Sequence, residues 1–101
     1  MSTFAARVQN YSKKSEAQIQ AEIVRELRRQ GWLVNKLVQT TLNGTPDLIC
    51  HKDGRTVYIE VKRPGQKVRP LQDFRHRELA KHGIPIYVLV DISEISMIES
   101  K

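Results

Sequence analysis

The sequence predicts a single α/β domain: a mixed β-sheet flanked by helices, in the order αβββαβ. Three observations carry this prediction. Apolar side chains recur at helical spacing over residues 16–30. Two strand-like segments enclose Asp53-Gly54, a dipeptide suited to a two-residue hairpin turn. A second helical segment precedes the unbroken apolar run "IPIYVLV" (residues 84–90), which reads as a strand covered on both faces.

Residues 1–13 lack periodicity and are expected to form a loose arm. Ser15 suits a helix N-cap, and Gln18, three residues on, completes a capping-box pattern. Ile19, Ile23, Val24 and Leu27 give the first helix its apolar face, and Gly31 follows as a C-terminal cap. "WLVNKLV" (32–38) reads as a strand and "QTTLNGTP" as a loop. Residues 47–51 and 56–62 are the strands of the hairpin. "RPGQKVRP" is a second loop, whose final Pro70 suits the first turn of a helix over residues 71–82, closed by Gly83. A short helix is expected in the tail after Asp91. Trp32 and Phe74 are assigned to the core.

A chain of 101 residues buries one modest core and forms one domain. Its single cysteine, Cys50, excludes an internal disulfide and is expected to pack as a small hydrophobe. No apolar run approaches the roughly 18 residues of a membrane span. The polar opening "MSTFAARVQNYSKKSE" is unlike a signal peptide, so a cytoplasmic location is expected, away from membranes. The net charge of +6 favours a polyanionic partner.

The hairpin carries the chemistry. With Asp53 and Gly54 as the turn, Lys52 pairs with Arg55. Counting back then sets His51 opposite Thr56, Ile49 opposite Tyr58, and Asp47 opposite Glu60. Lys62 lies two residues past Glu60 and so projects from the same face. Leu48, Cys50, Val57, Ile59 and Val61 form the other, apolar face. Two carboxylates this close repel unless a cation lies between them. Mg²⁺ accepts one or two protein carboxylates and leaves its other positions to water and phosphate. A lysine alongside can orient water and offset charge on a phosphate. The parts suit phosphodiester hydrolysis. The competing reading is a surface salt-bridge cluster in which Asp47 and Glu60 share Lys62. On the first helix, Glu16 and Gln20 fall at the N-terminal end of the buried stripe. There they either serve the site or, for Glu16, simply favour the helix dipole.

Asp47, twelve further residues, then Glu60-Val61-Lys62 resembles the PD-(D/E)xK nuclease signature, with the "PD" itself present as Pro46-Asp47. More narrowly, "SEAQIQAEIVRELRRQG", "NGTPDLI", "YIEVKRPGQKVRPLQ" and "LAKHGIPIYVLV" resemble the VRR-NUC family. That family has a helix Glu, G-x-P-D, E-x-K and a Gln on the next helix, in this order. The resemblance covers about residues 15–90 and implies a restriction-endonuclease-like core and a metal-dependent DNA nuclease. It implies Asp47, Glu60 and the Val61 main-chain carbonyl as metal ligands, Glu16 acting through a water, Lys62 as the catalytic lysine and Gln72 as the second-helix glutamine. Gln20 also fits the helix pattern, whereas Glu22 points outward. The implied cofactor is Mg²⁺, with Mn²⁺ substituting and no small-molecule cofactor. The implied setting is a bacterial or phage-infected cell. The implied substrate is branched double-stranded DNA, in particular a Holliday junction cut by a homodimer.

Lys13, Lys14, Arg63, Lys67 and Arg69 flank the site in sequence and are assigned to DNA phosphates. Arg25, Arg28 and Arg29 read as a solvated helix face. His51, His76 and His82 lack zinc-site spacing, and His51 reads as an ordinary, partly exposed histidine. Two rivals stand beside junction cleavage: a nuclease for flaps or plain duplex, and a non-catalytic basic DNA-binding module.

Overall fold

Ser15 opens the first helix as expected. Its side chain accepts from the Gln18 N–H, and the Gln18 side chain accepts in return from the Ser15 N–H. In the computed structural model, which describes residues 13–98, helix α1 (Glu16–Arg29) follows from this cap. It ends where the Gly31 N–H bonds the Arg28 carbonyl and the Trp32 N–H bonds the Leu27 carbonyl. This is the Schellman arrangement, closed by contact between apolar residues on either side. The arm assigned to residues 1–13 lies, apart from Lys13, outside the described residues.

Four strands follow: β1 (Leu33–Lys36), β2 (Leu48–Lys52), β3 (Arg55–Val61) and β4 (Ile86–Leu89). They form one sheet in the order β1-β2-β3-β4, antiparallel except for the parallel pair β3/β4. Helix α2 (Pro70–Lys81) makes the crossover between that parallel pair, and the short helix expected after Asp91 is a 3₁₀ turn (Ile92–Met97). Asp53 and Gly54 both have positive φ, 50° and 77°, the geometry of a type I′ turn. The register is the one counted from that turn: Lys52 faces Arg55, His51 faces Thr56 and Ile49 faces Tyr58.

Alternation along β2 and β3 sends Leu48, Cys50, Val57, Ile59 and Val61 to one face, all fully buried. Ile19, Ile23 and Leu27 of α1 cover them, and Trp32, Val34, Leu89, Ile95 and Ile98 close the edges of this core. Each of these larger aliphatic side chains contributes about 1.5–3 kcal/mol by leaving water. The 3₁₀ turn brings Ile95 and Ile98 beneath α1, with the Asp91 carboxylate accepting from the Ser93 N–H.

The other face departs from expectation. No residue of α2 is fully buried, and Phe74, assigned to the core, is 53% exposed. Strand β4 is not covered on both faces either, since Val88 is 38% exposed. One cause underlies both corrections. Helix α2 is polar on most of its circumference and shields only part of this face, and β4 is an edge strand with nothing beyond it among the described residues. A continuous apolar run is ambiguous between two-sided cover and one-sided cover at an edge.

Candidate active site

Asp47 sits at the end of the long β1–β2 loop, which is anchored at several points. The Leu37 N–H bonds the Asp47 carbonyl at 2.8 Å, and the Thr45 hydroxyl bonds the Leu42 carbonyl at 2.7 Å. Arg75 of α2 reaches back to the Asn43 carbonyl at 2.8 Å. Gly44, at φ +85°, lies directly against Leu71 at the start of the same helix.

The hairpin register, carried past the first residue of β2, places Asp47 opposite Glu60 and Pro46 opposite Val61. Hydrogen-bonded pairs alternate along an antiparallel ladder, and the pair closing a two-residue turn is bonded. Pro46 and Val61 therefore fall at a bonded position. Proline has no N–H to give the Val61 carbonyl, and the Val61 N–H donates instead to Asp47 Oδ2 at 2.8 Å. The proline thus ends the ladder and orients Asp47 in one stroke. It also leaves the Val61 carbonyl without its ladder donor.

Glu60 and Lys62, on the face away from the main core, are only 1% and 3% exposed. They lie 3.9 Å apart between Lys62 Nζ and Glu60 Oε2. Helix α2 closes over them. Gln72 Nε2 donates to Glu60 Oε2 at 3.1 Å while Gln72 Oε1 accepts from the Arg69 N–H at 2.9 Å, so one side chain both caps the helix and holds the glutamate. One turn later, His76 Nε2 stands 3.5 Å from Glu60 Oε1. Neither of these two atoms has a hydrogen-bond partner.

Burial is the main reason the Glu60 carboxyl is pushed up to about 8. The charge of Asp47 adds to it, Lys62 works against it, and a hydrogen bond with Asp47 and the more distant charge of Glu16 raise it further. Burial likewise lowers the pKa of His76. A carboxyl held this way is under electrostatic stress that a cation relieves.

Glu16, the first residue of α1, is half-buried and close enough for its charge to be felt at Glu60. Gln20 is half-buried one turn further on, and no bond joins it to the acids. Glu22 points outward, paired with Lys14 at 3.0 Å. Lys14 is thereby engaged, while Lys13, Arg63, Lys67 and Arg69 are exposed. His51 bonds Thr56 across the hairpin at 2.8 Å and is partly exposed.

The structure therefore brings together Asp47, Glu60, Lys62 and Gln72, with Glu16 at the margin. It adds His76, which sequence reasoning passed over. The signal was present: His76 follows Gln72 by four residues and so shares its helix face.

Among the described residues, no group of three His, Cys, Asp or Glu side chains converges as a metal cage. The donors present are two adjacent carboxylates and a main-chain carbonyl short of a donor. Hard oxygens of this number fit Mg²⁺ or Mn²⁺, which fill the rest of their shell with water and phosphate. The Glu60 oxygen without a hydrogen-bond partner is the observation that agrees with a cation at this place.

Comparison with known proteins agrees. A solved VRR_NUC domain superimposes with a TM-score of 0.74 at 26% sequence identity, over 82% of this chain and 91% of that one. A protein of Acyrthosiphon pisum secondary endosymbiont phage 1, named "Putative nuclease p44", is 33% identical over 84 residues, which are 82% of this chain and 89% of its own length. The family model of the VRR-NUC domain matches residues 2–90, and the chain accordingly belongs to the VRR-NUC family of nuclease domains.

Proposed function

We propose that this chain is a Mg²⁺-dependent endonuclease that cuts branched DNA, acting as a homodimeric Holliday junction resolvase. The observation that carries the reading is the buried Glu60, hydrogen-bonded to Gln72, facing Asp47 and flanked by Lys62. Asp47, Glu60 and the Val61 carbonyl would hold the ion, with Glu16 contributing through a water. When bound, the ion supplies positive charge against the scissile phosphate and makes water a stronger acid.

The remaining work falls to the chain itself. The Lys62 ammonium, fixed by burial, offers donors to a phosphate oxygen and to the attacking water and offsets charge as it develops. Gln72 fixes the rotamer of Glu60. Lys13, Lys14, Arg63, Lys67 and Arg69 give the phosphate backbone its positioning contacts. They read no bases, which supports selection by shape.

A dimer follows from the reaction. One site cuts one strand, and two symmetric nicks across a junction require a two-fold pair of sites. Leu71, Phe74 and Val88, exposed on the α2 side of the sheet, supply apolar surface that a second copy can bury.

The test is strand-resolved cleavage of a mobile four-way junction, a flap and a plain duplex, with Mg²⁺, with Mn²⁺ and with EDTA. Paired nicks in the junction, dependent on divalent metal and lost in Lys62→Ala with DNA binding retained, are expected. Activity that survives EDTA or Lys62→Ala overturns the mechanism. Preference for the flap or the duplex overturns the substrate assignment. Sedimentation reads the oligomeric state, and a monomer under cleavage conditions overturns the dimer.

A further inference from the structure

A groove of about 490 Å³ runs between α1 and the edge strand β1. Ala17, Gln20, Ala21, Val24, Arg25 and Arg28 of α1 line it together with Lys36 of β1. Among the described residues, no acidic side chain lines it. The two acids further along α1 are engaged elsewhere: Glu22 with Lys14, and Glu26 with Arg29 and Gln30. Among the described residues, Arg25, Arg28 and Lys36 make no ion pair, so three positive charges face one channel uncompensated. Arg28 spends one donor on the Val34 carbonyl at 3.1 Å, which pins its guanidinium to the sheet edge and leaves four donors for something else. Of the three arginines read as a solvated face, only Arg29 is neutralised on its own helix.

Both walls of the groove lead along the chain to residues of the candidate active site. On the α1 wall, Gln20 and Ala17 stand within a turn of Glu16. On the β1 wall, Lys36 precedes Leu37, whose N–H is bonded to the Asp47 carbonyl. From Ala17 to Arg28 the channel follows the helix for about 16 Å. That length matches about five nucleotides of rise along one DNA strand.

We propose that this groove is a second phosphate track, carrying the sugar-phosphate backbone of DNA away from the acidic site along α1. It takes its occupant from the nuclease reading, but its own chemistry is polyanion binding and needs no cleavage. Charge complementarity, with both walls leading along the chain to the site, selects a nucleic-acid backbone as occupant. The small side chains of Ala17 and Ala21 let that backbone lie close, and the arginine fork grips phosphate oxygens in two-point fashion.

Binding of a labelled four-way junction and of a duplex is measured by fluorescence anisotropy in EDTA, across about 50–200 mM salt. The variants are Arg25→Ala/Lys36→Ala, in which Arg28 keeps its structural bond, and the triple variant with Arg28→Ala. Lys81→Ala, at the far end of α2, is the control. The double variant is expected to bind on the order of ten times more weakly and to lose about 2 from the slope of log affinity against log salt. The triple variant is expected to lose about one further unit, and the control to match wild type. In a cleaving preparation, KM should rise while kcat stays.

Equal affinity and equal salt slope in the double variant overturn the proposal. So does wild-type protein that binds no DNA, an outcome that assigns the groove to an acidic protein partner instead. A wild type that binds DNA through Arg25 and Lys36 but never cuts it sinks the nuclease reading and leaves the track standing.

Discussion

A side-chain carbon on Gly44 would stand 2.8 Å from the main-chain oxygen of Leu71. The loop that carries Asp47 is thus in backbone contact with the first turn of α2, the helix that carries Gln72. Neither atom belongs to a flexible side chain, so neither can step aside, and φ of +85° adds strain for any L-residue. Gly44→Ala is therefore expected to destabilise the fold by about 2 kcal/mol, roughly 10 °C in Tm for a chain of this size. Cleavage should fall further than stability, because the loop and the helix separate just where Asp47 and Gln72 meet Glu60. A thermal melt checks the first effect, and a Tm unchanged within about 2 °C contradicts the contact.

Glu60 sets a pH dependence on stability. In the unfolded chain its carboxyl titrates near 4.5, and in the metal-free fold burial and Asp47 hold it up at about 8. A raised acid favours the fold while it stays protonated. Its contribution is complete below the unfolded value and is lost as pH climbs from about 4.5 through about 8. In EDTA, wild type is expected to lose Tm across that window relative to Glu60→Gln, which carries no titrating group there. Parallel curves for the two proteins would show that Glu60 is not held in its acid form.

Metal binding should mirror this. Seating a dication on Glu60 expels its proton, so apparent affinity for Mg²⁺ or Mn²⁺ is expected to rise about tenfold per pH unit below about 8 and then level. Calorimetry in two buffers of different ionisation enthalpy counts the released proton directly. Asp47→Asn should abolish the heat.

Gln72 and His76 meet Glu60 from successive turns of one helix. Gln72→Ala removes a hydrogen bond to the glutamate together with the cap on the Arg69 N–H. Loss of such an orienting partner is expected to lower cleavage about 10–100-fold with junction affinity intact. Gln72→Glu keeps the cap but sets a like charge beside Glu60, and it should be worse than Ala. A Gln72→Ala enzyme of wild-type rate would mean that Glu60 is held without it.

Cys50 offers a probe of opening. Its thiol is fully buried, and burial pushes it up to about 12, so almost no thiolate is present near neutrality. A thiol reagent at pH 8 should leave native protein untouched and modify it at the rate of global unfolding. Fast labelling of folded protein would place the hairpin core among the easily opened parts of the chain.

How much of this could be read from residues alone depended on how local the cause was. The turn at Asp53-Gly54 is set by two adjacent residues, and everything counted from it held, including the neighbourhood of Asp47 and Glu60. The caps at Ser15 and Gly31 were legible for the same reason. Exposure was not. Phe74 and Val88 are apolar at the expected positions, yet their burial depends on how completely α2 covers the sheet, and that is decided by packing across the whole domain. His76 was missed because its partner lies one strand and one loop earlier. Alternation placed Lys62 and Glu60 on one face, but only the fold shows α2 closing over them. Such closure turns a surface cluster into a buried one whose Glu60 carboxyl is pushed up by burial.

The two-residue turn makes the hairpin a ruler with divisions two residues wide. Lengthening the arm by one opposed pair keeps Asp47 across from Glu60. A single inserted residue within β3 would instead swing Glu60 into the oily side and set Ile59 against Asp47. Drift in the length of this arm among cousins of the chain is thus constrained to even steps. An odd step must come with a bulge or a different bend to cancel it.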